Sequence, residues 1–341
     1  MNRKKFLQQS VLATSGLIIA NGLFAKPKEP VYGHNGMKYQ IDTKWGTLDS
    51  SKYPVNDCHE MIQDSKGRIL LLTNETKNNI LIYDKGGKLL DSWGHEFPGA
   101  HGLTLQKANG EDFLFITDTR KHQVYKTTID GKILLTIDYP ADTGKYAKKE
   151  AFVPTETTVL ENGDFYIADG YGAQFIMQYD ANGKLKNIFG GKGENPENLD
   201  NAHGITVDTR KKKHTLLITD RTRNCFKRFT MDGKYIETIA LPGACVCRPV
   251  IRGNHLYAAV LTSPNLQAAG TGFITILDKN NKVVSNIGGT KPEYKGNVLQ
   301  PMAQSEKIFV HPHDVCVDND ENLYVAQWAS GKVYPYKFKR V

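Results

Sequence analysis

The sequence has no long apolar run and no surplus of helix-forming residues. Its longest apolar stretch, roughly residues 11–24, is interrupted by polar residues and is too short for a membrane span. Glycine, with 31 residues, and tyrosine, with 16, are frequent instead. This usage, together with many Thr, Val and Ile, favours strands and tight turns. The composition therefore points to a globular protein built mainly from β-structure, without a membrane span.

Cysteine is also scarce. The five cysteines are Cys58, Cys225, Cys245, Cys247 and Cys316. An odd number in an exported protein leaves at least one thiol unpaired, and the spacing here gives no disulfide framework. Cys245 and Cys247 are too close for an easy mutual bridge, and a metal-binding role for this pair is the less favoured alternative. The sequence thus leaves the pairing of the cysteines open.

A strong charge of one sign is missing as well. The formal net charge is +8, and Arg3, Lys4 and Lys5 contribute three of these charges, so the remainder carries 8 − 3 = +5. The basic run at residues 210–213 falls where a hairpin turn is expected. Such runs are more often solvated loops than nucleic-acid sites. We therefore expect no nucleic-acid partner.

The N-terminus has the pattern of an export signal. Basic residues 3–5 precede the apolar stretch, and Ala25-Lys26 is a plausible cleavage point. The stretch at residues 3–7 resembles a twin-arginine signal in which Lys4 replaces the second arginine, which leaves the export route open. No cysteine lies near the cleavage region, which argues against a lipoprotein anchor. We expect residues 1–25 to be an export signal and the protein to be periplasmic or secreted.

The strongest signal is an internal repeat with a period of about 40–65 residues, within the range of repeat architectures. Each unit has an apolar strand ending in a small polar pair, then a strand with an Asp/Asn-Gly type turn, as in Tyr83-Asp84-Lys85-Gly86-Gly87-Lys88. The six units are approximately 58–96, 100–140, 154–192, 202–243, 247–290 and 312–338.

Three or four short strands per unit are typical of a propeller blade, and the unit pattern resembles NHL repeats. We predict an all-β protein: a six-bladed β-propeller of the NHL-repeat type over residues 58–341. Residues 26–57 would be an N-terminal segment, in which residues 39–43 close the ring as the outer strand of the last blade. No linker interrupts the period, so a second domain is not expected.

Histidines recur at one position of the repeat. The innermost strands of blades 1, 2, 4 and 6 begin at His59, His101, His203 and His313. In a propeller the first residues of these strands ring the mouth of the central channel. Blades 2, 4 and 6 alternate around the axis, so their imidazoles can converge as a tripod with an open coordination position, as in catalytic zinc sites. The alternative is a binding propeller whose histidines cap strands through backbone hydrogen bonds.

Several motifs then resemble one enzyme family. The motifs are His101-Gly102-Leu103 with Ile116-Thr117-Asp118, Pro154-Thr155 with Ala168-Asp169-Gly170-Tyr171, His203 with Thr219-Asp220-Arg221, and Pro312-His313-Asp314. They resemble the peptidyl-hydroxyglycine α-amidating lyases, over about residues 58–338.

The resemblance implies a set of site residues. His101, His203 and His313 would hold a catalytic zinc, or another divalent transition metal. A structural calcium would be bound by Asp314 and by the backbone carbonyls of Met61 and Leu103. Tyr171 would be the catalytic base and Arg221 the group that orients the substrate. Because neighbouring side chains alternate along a strand, Asp314 can face the channel beside His313 only if the strand bends locally.

The chain departs from the family at three positions that we retain as possible additional site residues. Asn74 stands where the family has a functional arginine, and His311 where it has a methionine. His59 adds an imidazole that the family lacks. The family's copper-dependent hydroxylase half has no counterpart in this sequence. The cysteines that form the family's disulfides are not matched by cysteines here. These departures leave the metal site in place and weaken the assignment of a peptide substrate.

We therefore expect a metal-dependent lyase that cleaves a C–N or C–O bond next to a hydroxyl-bearing carbon of a small molecule. One alternative is a divalent-cation propeller hydrolase such as a lactonase, although such sites prefer Glu, Asn and Asp over histidine. The other is a non-catalytic ligand-binding NHL propeller. We expect the protein to act as a monomer.

Overall fold

The repeated turn motif closes the hairpins of the blades. In blade 1 the Asp84 carboxylate accepts a hydrogen bond from the backbone N–H of Lys88 at 2.9 Å. The Gly87 backbone between them has a φ of 92°, which favours glycine. Asp180, Gly183 and Lys184 repeat this arrangement, with a φ of 83° at the glycine. The aspartate thus organises the turn and the glycine permits it.

The computed structural model describes residues 30–341, which form six antiparallel sheets around a channel. The predicted export signal at residues 1–25 lies outside the described residues. Two strands at the start of this region are β1 (Val31–His34) and β2 (Met37–Asp42). Blade 1 contains β3 (Cys58–Gln63), β4 (Ile69–Thr73), β5 (Ile80–Tyr83) and β6 (Leu89–Trp93). Blade 2 contains β7 (Ala100–Ala108), β8 (Glu111–Asp118), β9 (Gln123–Thr128) and β10 (Ile133–Ile137).

The remaining blades follow in chain order, after two short 3-10 helices at Ala141–Thr143 and Lys149–Ala151. Blade 3 contains β11 (Glu156–Val159), β12 (Phe165–Ala168), β13 (Phe175–Tyr179) and β14 (Leu185–Gly190). Blade 4 contains β15 (Ile205–Asp208), β16 (Thr215–Asp220), β17 (Cys225–Phe229) and β18 (Tyr235–Ala240). Blade 5 contains β19 (Cys245–Val246), β20 (Val250–Arg252), β21 (His255–Thr262), β22 (Phe273–Leu277) and β23 (Val283–Ile287). After a small hairpin of β24 (Tyr294–Lys295) and β25 (Val298–Leu299), blade 6 contains β26 (Pro312–Val317), β27 (Leu323–Gln327) and β28 (Tyr336–Arg340).

The ring is closed by the start of the described region. Strand β2 pairs antiparallel with β28, with Ile41 opposite Phe338, and β1 extends the same sheet. The last blade has five strands because the N-terminal segment contributes two. Strand β19 of blade 5 is short, and β20 pairs separately with β21.

The hydrophobic core lies between adjacent blades. One cluster joins Leu70, Leu72 and Ile80 of blade 1 to Leu103 and Ile116 of blade 2, all fully buried. Similar clusters connect the other neighbouring blades. Since each sheet buries apolar side chains on both faces, burial of this surface stabilises the ring and holds the innermost strands in place. Within residues 30–341, all five cysteines are buried free thiols. No helix in this region has the length and apolar character needed to cross a membrane.

Candidate metal centre in the channel

Two successive residues of each blade line the channel. The first set, which we call the histidine tier, is His59, His101, Thr155, His203, Cys247 and His313. The second set, one residue further along each blade, is called the carboxylate tier and comprises Glu60, Gly102, Glu156, Gly204, Arg248 and Asp314. Cys247 occupies the same place in blade 5 as Thr155 in blade 3, because each backbone N–H donates to a carbonyl of the next strand, at 2.8 and 2.9 Å.

Local irregularities allow consecutive side chains to face the channel. In blade 6 the pairing of β26 with β27 shifts register between Pro312 and Asp314. The corresponding shift in blade 1 lies between Cys58 and Glu60. A bulge inserts an unpaired residue and breaks the alternation of side chains. The local bend that was predicted at Asp314 is therefore present.

Four imidazoles converge in the histidine tier. The predicted trio of His101, His203 and His313 has ring centroids 4.8–4.9 Å apart in every pair. The ring of His59 lies 4.8 Å from that of His101 and 4.9 Å from that of His313. All four side chains are buried, with at most 6% of the residue exposed. The repeat position identified in the sequence thus brings all four histidines into one cluster.

Backbone carbonyls orient two of the rings. His101 Nδ1 lies 2.8 Å from the Thr155 carbonyl, and His313 Nδ1 lies 2.9 Å from the carbonyl of His59. A carbonyl can only accept, so each Nδ1 carries the proton and each Nε2 presents a lone pair. This is the outer arrangement that metal-binding histidines commonly have.

The cluster fits a bound transition-metal ion. The Nε2 atoms of His203 and His313 are 3.2 Å apart, close to the roughly 3.3 Å expected between two nitrogens on a tetrahedral zinc ion. The Nδ1 atoms of His59 and His203 are buried without a hydrogen-bond partner. Burial lowers the pKa of His59 to about 3 and also depresses the pKa of the other three imidazoles. Neutral imidazoles are the form that binds metals.

Cys247 also contributes a donor atom; the sequence analysis considered a metal role for it only as the less favoured alternative, paired with Cys245. Ligand atoms within 4.8 Å of one another form two sets that share His313: one with His59 and His101, and one with His203 and Cys247. The predicted trio is therefore distributed over both sets. The signal that could have identified Cys247 is its position in the repeat, which matches that of Thr155 in blade 3. The strand that follows it in blade 5 is short, which obscures the repeat there.

Tyr171 and Arg221 lie at the same mouth of the channel as the histidines. The Tyr171 hydroxyl is 3.1 Å from His101 Nε2, to which it donates, and it accepts a hydrogen bond from Arg221 Nη2 at 3.0 Å. Tyr171 as a whole residue is 41% exposed, whereas its hydroxyl lies between His101 and Arg221. Strand direction, which the sequence did not determine, thus places both residues beside the imidazoles.

The electrostatics of this pair are unusual. Among residues 30–341, no carboxylate oxygen lies within 4.0 Å of the Arg221 guanidinium, because neighbouring Asp220 pairs with Arg223 and Lys227. Arg221 is nevertheless only 4% exposed, and its Nε has no partner. Burial raises the pKa of Tyr171, although Arg221 opposes this shift. The site therefore contains a buried cation that can receive an anionic group.

The residues predicted to bind calcium surround the side chain of Arg248. Asp314 and the carbonyls of Met61 and Leu103 all accept hydrogen bonds from the Arg248 guanidinium, at 2.8–3.2 Å. A positively charged group of the chain thus lies among the oxygens predicted to bind calcium, and the calcium site itself stays a prediction. The motif comparison did not single out Arg248.

The remaining predicted positions lie apart from the cluster. The Asn74 amide donates to Asp57 at 3.0 Å and accepts from Asn56 at 2.9 Å, which is a loop-forming role. His311 Nε2 accepts from the backbone N–H of Gly270 at 3.2 Å, and its ring packs near Trp328. Neither belongs to a set of potential metal ligands among the described residues.

Sequence comparison relates part of the chain to curated amidating lyases. It is 39% identical over 106 residues to peptidyl-α-hydroxyglycine α-amidating lyase 1 of Drosophila melanogaster, covering 29% of this chain and 18% of that protein. Lyase 2 of the same organism is 36% identical over 112 residues, covering 32% and 27%. The chain thus matches less than a third of the length of these relatives. The predicted resemblance is confirmed over part of the chain, and no family model matches it.

Solved structures support the fold alone. A gluconolactonase from Xanthomonas campestris superposes with a TM-score of 0.59 at 10% identity, covering 92% of this chain and 99% of the other. Virginiamycin B lyase from Staphylococcus aureus superposes with a TM-score of 0.52 at 17% identity, covering 90% and 88%. The prediction of an all-β, six-bladed propeller is confirmed.

Proposed function

We propose that this protein is a metal-dependent lyase that cleaves a C–N or C–O bond adjacent to a hydroxyl-bearing carbon. The observation that carries this proposal is the position of the Tyr171 hydroxyl, in hydrogen-bond contact with both His101 Nε2 and Arg221. A potential proton acceptor, a buried cation and the metal-binding imidazoles thus meet at one channel mouth. The similarity to the Drosophila amidating lyases supports the same reaction class.

The histidines would hold the metal. His313 belongs to both sets of donor atoms, so it is the residue on which any ligand arrangement depends. His101 and His203 complete the proposed tripod, and His59 and Cys247 are further available donors. A zinc ion held there would polarise a substrate hydroxyl and lower the pKa of that hydroxyl and of the adjacent Tyr171.

Tyr171 and Arg221 would carry out the steps that belong to the chain. With its pKa lowered by the metal and by Arg221, Tyr171 would first release its own proton to solvent, and the phenolate would then take the proton from the substrate hydroxyl, so that the C–O bond becomes a carbonyl. The electron pair of the adjacent C–N or C–O bond would leave with its nitrogen or oxygen, which then takes up a proton. Arg221 would hold a carboxylate or the developing oxyanion, because its buried guanidinium has no carboxylate partner among the described residues.

The substrate that we propose is a small α-hydroxylated amide, ester or ether that carries a carboxylate or carbonyl group. The lactonase alternative receives less support, because the acids such a site would use surround Arg248: Asp314 is hydrogen-bonded to it, and Glu60 and Glu156 lie 3.5 and 3.7 Å from its nitrogens. The likeness to a gluconolactonase is one of fold. Export to the periplasm or the cell exterior and a monomeric state remain part of the proposal.

Substitution of Tyr171 by phenylalanine tests the mechanism. Purified protein would first be analysed for its metal content and then assayed with α-hydroxyglycine compounds, followed by hydroxylated or keto-bearing sugars. Tyr171→Phe should lower kcat by about 10²–10⁴-fold, the usual effect of removing a general base, and leave the metal content unchanged. Tyr235→Phe is the matched control, since its hydroxyl contacts only Thr238 on the outer strand of blade 4. Full activity of Tyr171→Phe would refute the proposed base.

A further inference from the structure

The guanidinium of Arg248 donates hydrogen bonds to three of the residues that surround it. Nε and Nη2 donate to the two oxygens of Asp314, at 3.1 and 2.8 Å, as a two-pronged pair. Nη1 donates to the carbonyl of Leu103 at 3.1 Å, and Nη2 also donates to that of Met61 at 3.2 Å. Charge-assisted pairs of this geometry are among the strongest hydrogen bonds in proteins.

This one side chain connects most of the ring. Asp314, Met61 and Leu103 belong to the innermost strands of blades 6, 1 and 2. Glu60 of blade 1 and Glu156 of blade 3 lie further away, at 3.5 and 3.7 Å from its nitrogens. Arg248, carried by blade 5, thus touches or faces four other blades across the channel.

Blade 4, the remaining blade, contributes a glycine that leaves room for Arg248. A Cβ atom on Gly204 of blade 4 would lie only 2.6 Å from Arg248 Cα. Gly102 leaves comparable space, because a Cβ there would lie 3.0 Å from Glu156 Oε1 and 2.6 Å from the Thr155 carbonyl. The carboxylate tier therefore consists of three acids, one arginine and two positions at which the approach is close enough to favour glycine.

We infer that Arg248 replaces the structural cation that the family pattern predicts, so that the channel is cross-linked by a side chain instead of calcium. Calcium needs about 6–8 oxygen ligands at 2.3–2.6 Å. The oxygens of Asp314, Met61 and Leu103 already receive N–H donors from Arg248, and the guanidinium and a calcium ion would repel each other in the same space. The same acceptors therefore serve a planar cation that the chain itself supplies.

A permanent cross-link has a testable consequence that does not depend on the proposed lyase activity. Purified full-length protein is stripped with a chelator, reloaded with zinc alone, and melted with and without millimolar calcium. Wild-type protein should contain substoichiometric calcium, and added calcium should leave its Tm unchanged. Because both samples contain zinc, the histidine tier is in the same state in each, and a difference in Tm reports calcium binding elsewhere.

Removal of the side chain should restore a calcium response. Arg248→Ala leaves the three buried acids without their cation, so its Tm should fall by several degrees. Added calcium should then raise the Tm of this variant, because it binds the folded state through the released oxygens. Arg252→Ala is the matched control, since Arg252 in β20 contacts Asn319 outside the carboxylate tier. Magnesium serves as the control ion because it tolerates large oxygen cages poorly.

Two results would overturn the inference. The first is stoichiometric calcium in wild-type protein, with a Tm that falls on its removal and recovers with calcium but not with zinc. The second is a folded Arg248→Ala variant whose Tm ignores calcium. If that variant does not accumulate as folded protein, the calcium content and the calcium response of wild-type protein decide the question alone.

Discussion

The histidine tier and the carboxylate tier are built from consecutive residues of the same blades, yet they manage charge in opposite ways. Burial depresses the pKa of the imidazoles and raises the pKa of Glu60 and Glu156, so in both tiers it opposes the charged form. The histidine tier contains neutral donors with lone pairs and no cation of its own. The carboxylate tier holds a cation supplied by the chain, Arg248.

This difference separates the two metal sites that one family pattern implies. The imidazole nitrogens at the channel mouth are arranged as potential ligands, and two Nδ1 atoms lack any partner. The acceptors one residue further along the strands are hydrogen-bonded to a guanidinium. On our inference, the motif that matches at Asp314 carries the carboxylate into this chain, where it pairs with Arg248 instead of an ion.

The largest expected effect comes from breaking the histidine tier at its shared ligand. His313→Ala should abolish metal binding, with a loss of affinity beyond the about 10–100-fold that removal of an outer partner costs. The measurement is the metal content after dialysis, by elemental analysis. His311→Ala is the matched control, because His311 lies two residues away and contacts Gly270 instead of the cluster. Equal metal content in the two variants would contradict the assignment.

A smaller effect, on the free energy of unfolding, is expected from substitution of Gly204 in blade 4, which packs against Arg248. Gly204→Ala would force a Cβ against the backbone of Arg248, and overpacking of this kind costs about 1–3 kcal/mol of unfolding free energy. Denaturant unfolding measures the loss, while the metal content should be retained. Gly86→Ala is the control, since its Cβ would meet only the Asp84 carboxylate, at 3.1 Å. Stability equal to that of the control would mean that Arg248 is not confined as described.

The smallest effect concerns the dependence of stability on pH. Burial raises the pKa of Glu156 in the folded state, so the folded protein binds a proton at pH values where the unfolded chain has released it. This contribution to stability is complete below the ordinary glutamate pKa and is lost as the pH rises through the raised folded value. Glu156→Gln should therefore flatten the fall of unfolding free energy with rising pH.

The control for this experiment is Glu161→Gln, at an exposed position on the turn of blade 3. Unfolding free energies of both variants and of wild-type protein would be compared from about pH 4 to pH 8, which brackets the ordinary carboxyl range. If Glu156→Gln retains the full wild-type slope, its carboxyl does not keep a proton in the folded state. The carboxylate tier would then rely on Arg248 for more of its neutralisation.

Sequence periodicity alone determined the propeller, the closing strand and the convergence of the histidines. Each Asp-to-Gly turn is encoded within about five residues, and His59, His101, His203 and His313 share one repeat position. A strand that starts at the same point of every blade must bring such residues to the same end of the channel. These conclusions needed only local chemistry and the symmetry of the ring.

Only the tertiary structure placed Arg248 and Cys247. The innermost part of blade 5 is divided between β19 and β20, so its sequence lacks the regular pattern that marks the other blades. The partners of Arg248 lie 66 to 187 residues away in the chain. Whether an acid such as Asp314 faces a metal ion or a guanidinium depends on which side chain the opposite blades project into the shared channel. Ring closure decides that contact, because the contact depends on distances across the channel and not on neighbours along a strand.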